Sequence, residues 1–183
     1  MYLVIDTETG GRTPDHALLQ LYARVVDKSL KATDELNLLL VPDDGKYVVT
    51  SGALRINGIN LAKHSEGAML MSSARNKLRQ WLAGHTKGGT EKLTVVGWNV
   101  SFDTGFVHAH LLPKDEWEGF CSYRHLDVAA VVSALQLKGK IPASVTSLVK
   151  TAQFFGLKTD GAHEASFDVD MTVAVLRCAV ALI

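Results

Sequence analysis

The stretch Leu3-Val4-Ile5-Asp6-Thr7-Glu8-Thr9-Gly10-Gly11, residues 3–11, decides how the rest of the chain is read. A short β-branched apolar run opens almost at the N-terminus and ends in two carboxylates and two glycines. Such a run predicts a buried strand. Residues two apart on a strand share a face, so Asp6 and Glu8 point the same way at its end. Two anions ~4 Å apart repel by about 4 kcal/mol at an effective dielectric of about 20. A bound cation would offset that cost. A pair of solvated charges entering a turn is the plainer alternative, and this stretch alone does not choose between them.

Working outward, residues 17–26 (ALLQLYARVV) and 36–41 (LNLLLV) read as two further strands, joined by short connections into an antiparallel meander. Residues 50–56 read as a short helix capped by Thr50 or Ser51 and ended at Asn57-Gly58, and residues 66–82 as a longer helix closed by Gly84. After a hydrophilic loop at 85–92, strand and helix alternate. Strands are predicted at 93–96 and 120–126, and helices at 101–112, 127–137, 144–155 and from 164 to the end. This order predicts an α/β fold: a mixed five-stranded sheet, antiparallel meander then parallel strands, flanked by helices. The first strand would lie centrally with the fourth beside it. Sites in such sheets form at the carboxyl ends of central strands, where Asp6 and Glu8 lie.

With 183 residues the chain suits a single domain over 1–183 and could bury roughly 70% of its unfolded surface. Its formal net charge is zero, so a grip on nucleic acid would have to be local rather than a whole-protein field. The two cysteines, Cys121 and Cys178, are far apart and lack metal-ligand spacing, which fits a reduced, cytoplasmic setting. Neither a secretory signal nor an apolar run of membrane-spanning length is expected.

Two more clusters carry chemistry. Asp103 sits about one turn into the helix that follows the fourth strand, in Gly97-Trp98-Asn99-Val100-Ser101-Phe102-Asp103. It could meet Asp6, or simply favour a helix N-terminus, where Asn99 could serve as a cap. The last helix opens with His163-Glu164-Ala165-Ser166-Phe167-Asp168. Asp168 shares a face with Thr172 and Val175 and is preferred as the inward carboxylate over Glu164 and Asp170. His163 lies just before the helix or in its first turn, able to swing over a site.

Taken together, Asp6-Thr7-Glu8-Thr9, then Asn99-x-x-Phe102-Asp103, then His163-x-Ala165-x-x-Asp168 resemble the DnaQ-like 3′–5′ exonuclease superfamily in its histidine-bearing DEDDh branch. The resemblance covers nearly the whole chain. It implies a ribonuclease-H-like fold and metal-dependent hydrolysis of phosphodiesters from a 3′ end, releasing nucleoside 5′-monophosphates. Asp6, Glu8, Asp103 and Asp168 would bind two divalent metals, Mg²⁺ or Mn²⁺, and His163 would be the general base. The chemistry asks for such groups independently. Water attacking an anionic phosphodiester needs charge neutralisation and activation. Paired metals on hard oxygen ligands supply the first, and a histidine can take the proton.

Substrate contacts are expected from Thr7, Thr9, Gly10, Asn99 and Phe102, with Trp98 a further stacking candidate. Core packing for Phe102 and a simple turn for Gly10 are the alternatives. Lys138 and Lys140 read better as a solvated loop than as phosphate contacts. Departures from the common pattern stand at Trp98, Gln20, Val169 and Gly10; they bear on subfamily and leave the ligands and base in place. A single-stranded DNA 3′ end is the favoured substrate, with a polymerase or other protein partner possible. The alternatives are an exoribonuclease of the ribonuclease T or oligoribonuclease type, or a non-catalytic nucleic-acid-binding module. The latter would be marked by loss of an acidic ligand or of the histidine.

Overall fold

The computed structural model describes every residue from 1 to 183 except residue 89. Three strands come first: β1 (Tyr2–Thr9), β2 (Leu18–Val26) and β3 (Ala32–Val41). They are followed by α1 (Ser51–Asn57), α2 (Leu61–Gly67), β4 (Met69–Leu70), α3 (Met71–His85), β5 (Thr94–Gly97) and α4 (Ser101–His110). The chain then runs through α5 (Lys114–Phe120), β6 (Leu126–Asp127), α6 (Val128–Leu137), α7 (Leu148–Phe154) and α8 (Ala165–Val180).

The strand order is β4-β3-β2-β1-β5-β6. β1 pairs antiparallel with β2 and parallel with β5, so the opening strand is central, as its apolar run implies. Alternate side chains of β1 serve two cores. Leu3 and Ile5 pack with α3 and α4 residues such as Leu78 and Phe106 on one face. Val4 packs with Val132, Val169 and Leu176 of α6 and α8 on the other. A strand buried on both faces needs apolar residues at every position, which is why its sequence shows no alternation. By the same parity Asp6 and Glu8 follow Val4 onto the α8 side.

The expected five-stranded sheet has six strands. The added one, β4, is two residues long and pairs parallel with β3 through Leu40 and Val41. It occupies the front of a segment whose apolar spacing predicts helix from 66; the helix begins instead at Met71. The strand expected over 120–126 is also reduced. Its first residue ends α5, Cys121 makes one bridge to Leu93, and only Leu126 and Asp127 pair with β5. Helix α5 follows Pro113, which cannot continue α4, and carries Asp115 and Glu116 in its first turn, where carboxylates favour a helix start. Helix α2 goes unpredicted although Asn60 caps it, accepting from the Ala62 and Lys63 amides. The loop expected over 85–92 opens with the last residue of α3, and residue 89 within it lies outside the described residues. Among the described residues no helix is long and apolar enough to cross a membrane.

Candidate active site

The carboxyl end of β1 meets the start of α8. Asp6, Glu8 and Asp168 each place one carboxylate oxygen within 4.8 Å of the others. The ladder to β2 sets the first two, with Asp6 opposite Tyr22 and Glu8 opposite Gln20. Asp168 lies in the first turn of α8. Its Oδ2 accepts the His163 main-chain N–H at 3.2 Å, while its Oδ1 is buried with no hydrogen-bond partner. A buried carboxylate oxygen left unpaired costs free energy unless a cation or donor satisfies it.

The two competing acids on α8 are engaged elsewhere. Asp170 pairs with Arg24 of β2, whose guanidinium also reaches Glu35 at 3.0 Å and the Tyr22 hydroxyl at 2.8 Å. That network ties α8 to the sheet one strand away from the cluster. Glu164 is exposed and accepts from the Ser166 hydroxyl at 2.7 Å.

Asp103 comes from α4, which packs on the opposite face of the sheet, and is only 4% exposed. The Thr7 hydroxyl donates to its Oδ1 at 2.7 Å. This bond draws Asp103 beside the cluster but not into the tight group of three. It remains near enough to be the strongest charged neighbour of Asp6.

Electrostatics follow from this crowding. Burial, then the charges of Asp103, Glu8 and Asp168, hold the Asp6 carboxyl well above the usual carboxylate range. Burial and Asp168 push Glu8 up to about 8, with the neighbouring Asn57 amide opposing them. Burial lifts Asp103 to about 7 against the Thr7 hydrogen bonds. Asp168 is raised by burial too. Four acids that resist ionising together, all with oxygen donors and one with an orphaned oxygen, fit hard divalent cations better than softer metals.

His163 sits just before α8 with a left-handed φ of 73°, exposed, its main chain tethered to Asp168. A non-glycine residue in that region is uncommon and marks a tightly specified turn.

Beside Glu8 opens a cleft of about 570 Å³, walled by Gly52, Ala53 and Ile56 of α1 and by Phe102 of α4. Phe102 tilts against Phe106 with centroids 5.0 Å apart, so it packs on the core and also lines the cleft. Thr9 lines it as well, with its hydroxyl donated to the Gly11 carbonyl at 2.7 Å. Gly10 is buried outside it. Its N–H donates to Ala17 O at 2.7 Å and its carbonyl accepts from Thr50 N at 2.7 Å. A Cβ at Gly10 would come within 2.5 Å of Val48 O, so this glycine permits a close chain crossing. Asn99 is exposed with φ 56°. Its N–H donates to Asp127 Oδ1 at 3.0 Å, and its side chain does not cap α4. Trp98 packs against the α6–α8 core. Lys138 and Lys140 are exposed and lie outside the cleft.

Sequence reasoning missed Asn57. Its amide lies beside Glu8, donates to Thr9 O at 3.2 Å and lines the cleft. The Asn-Gly pair reads correctly as the end of α1, but nothing local tells that α1 packs against the end of β1. Arg12 and His16, on the loop after the two glycines, also line the cleft and carry no motif signal.

A family model described as Exonuclease, of the RNase T group, matches residues 3–176. The chain belongs to this exonuclease family. Among solved structures, E. coli exonuclease I in complex with a dT13 oligonucleotide superposes with a TM-score of 0.78 at 19% identity, covering 97% of this chain and 40% of that one. Exonuclease I from Methylocaldum szegediense gives a TM-score of 0.78 at 20% identity, covering 96% and 39%. A zinc-bound E. coli exonuclease I–ssDNA complex gives 0.77 at 21% identity, covering 94% and 39%. These neighbours share the ribonuclease-H-like exonuclease fold, and this chain spans about 40% of their length.

Proposed function

We propose that this exonuclease-family chain acts as a single 3′–5′ exonuclease domain over residues 1–183. It hydrolyses the terminal phosphodiester of a nucleic-acid strand and releases nucleoside 5′-monophosphates. The observation that carries this reading is the convergence of Asp6, Glu8 and Asp168, with the unpartnered Asp168 Oδ1, beside a cleft that Glu8 lines.

Asp6, Glu8, Asp103 and Asp168 are assigned as holders of two divalent cations, Mg²⁺ or Mn²⁺. Bound there, such ions neutralise the phosphodiester and lower the pKa of water. The protein's own groups do the rest. Thr7 keeps Asp103 oriented beside Asp6. Asp168 holds the His163 turn, and His163 is exposed. His163 accepts the proton of the attacking water. The new P–O bond forms as the P–O3′ bond breaks, and the departing 3′-oxygen takes a proton from solvent to become the 3′-hydroxyl of the shortened strand. The apolar cleft walls and Phe102 suit a terminal base.

Single-stranded DNA is the favoured substrate; the E. coli exonuclease I neighbours bound to dT13 and to ssDNA support it. The cysteines Cys121 and Cys178 are both free, in keeping with a reducing, cytoplasmic setting.

The test is a time course on matched DNA and RNA oligonucleotides with free 3′ ends, in Mg²⁺, Mn²⁺ or EDTA, beside Asp6→Ala. Metal-dependent shortening from the 3′ end, absent in the variant, is the expected result, faster on DNA. Faster shortening of RNA would move the chain to the exoribonuclease type. Oligonucleotide binding without any shortening would make it a binding module.

A further inference from the structure

Resting on the exonuclease reading, we propose that Arg12 is the residue that grips the backbone of the strand being trimmed, by pairing with a phosphate other than the one under attack. The cleft has few polar groups left to offer a ligand. Its walls from α1 and Phe102 are apolar. Most of its polar side chains are already used within the protein. Thr7 donates to Asp103, and Thr9 to Gly11 O. Thr50 accepts from Ala53 N, and the amide of Asn57 serves Thr9 O and Ile59 N. His16 is tied through Nδ1 to Thr13. That leaves Glu8, which faces the carboxylate cluster, and Arg12. Among the described residues Arg12 is exposed, lines the cleft, and makes neither a side-chain hydrogen bond nor an ion pair.

The loop that carries it is held from outside. Gly10 and Ala17 bond to each other across its base, and Ala17 N donates to Val48 O at 2.8 Å. The carbonyl of Pro14 bonds to the His110 ring at 2.8 Å, and a Cβ at Gly11 would strike the His16 ring. A loop fixed this firmly presents its cation with little ordering left to do on binding. The need is also specific. The chain has zero formal net charge, and its site gathers four acids. Cations held by those acids would serve the phosphate under attack, and with no whole-protein positive field a phosphate further along the strand needs a local cation. A guanidinium is suited to a phosphate because its planar N–H groups pair with two oxygens.

The experiment measures oligothymidylate binding by fluorescence anisotropy in EDTA and initial rates in Mg²⁺, each between 50 and 200 mM KCl. The proteins are wild type, Arg12→Ala, Arg12→Lys and Lys140→Ala, an exposed lysine outside the cleft. Arg12→Ala should weaken binding and raise KM about tenfold, change kcat by less than about twofold, and flatten the dependence of log K on log salt by about one. Arg12→Lys should retain the salt slope with part of the affinity, and Lys140→Ala should match wild type. Unchanged binding in Arg12→Ala overturns the assignment. So does weaker binding with an unchanged salt slope, which would place Arg12 on a base. A wild type that binds the strand without shortening it would sink the exonuclease reading instead, while the anisotropy arm still decides Arg12.

Discussion

Two loops flank the carboxylates, and they are held in opposite ways. The loop at 10–17, after β1, is bonded to distant parts of the chain. It meets Val48 and Thr50 through the main chain and His110 of α4 through Pro14. The loop at 158–164, before α8, bonds almost only to itself and to the helix it precedes. Ala162 N reaches Thr159 O, Glu164 N reaches Gly161 O, and His163 N reaches Asp168 Oδ2, all at 3.2–3.3 Å. The first loop, held by those bonds, supplies Gly11, Arg12 and His16 to the cleft wall. The second is tied to α8 partly through a carboxylate, Asp168, that is also a candidate metal ligand. The geometry of Asp168 and the placement of His163, the proposed proton acceptor, are therefore linked, whereas Asp6 and Glu8 are set by the sheet.

The comparison can be broken most directly at Asp168. Asp168→Ala should lower metal-dependent turnover by at least about 10³-fold. It should also raise amide hydrogen exchange over 158–164, leaving 10–17 protected and the circular dichroism unchanged. Equal exchange in both loops would show that Asp168 does not hold the second one.

His163→Ala should cost about 10²–10³-fold in rate while cation affinity stays within a few-fold, read by titration with Mn²⁺. A collapse of affinity would make His163 a ligand rather than the base. Because φ is 73° there, His163→Gly should lose the same activity without losing thermal stability.

In the first loop, Gly10→Ala puts a Cβ 2.5 Å from Val48 O and should destabilise the protein by about 1–3 kcal/mol in urea unfolding. A neutral result would mean that this crossing is loose, and the contrast between the loops would fail.

The smallest effect is the pH dependence of the metal-free protein. Glu8 is raised from 4.5 to about 8 and Asp103 from 3.8 to about 7. The folded state thus keeps protons that the unfolded chain releases. Stability should fall as pH rises from about 4 through 8, by a few degrees in Tm, and recover on adding Mg²⁺ at the upper end. A flat profile in EDTA would show that the acids are not crowded in solution.

Much of this was legible in the chain itself. The opening strand, its two same-face acids, a helix cap at Thr50 or Ser51 and the choice of Asp168 over its neighbours all follow from period, turn chemistry and which residues can be buried. Those signals are local, carried by residues within one or two turns of each other. The reduction of the 120–126 strand to two residues, the short β4 and the helix α2 were not legible, because weak local preferences there are overruled by packing. The roles of Asn57, Arg12 and His16 were hidden for a related reason: each gains meaning only from an element far away in sequence.

Motif spacing and periodicity were enough for the family, for the meander followed by alternating strands and helices, and for the candidate acids, since burying an apolar run on both faces leaves a strand one central place in the sheet. Only the tertiary structure decided how those acids are shared out. Three converge, while Asp103 is held beside them by the Thr7 hydroxyl 96 positions away. It also decided which polar groups of the cleft remain free. Most polar side chains of the cleft are bonded within the protein, several of them to near neighbours in sequence, and what stays unpartnered, the Arg12 guanidinium in the cleft and Asp168 Oδ1 in the carboxylate cluster, is what a ligand can use.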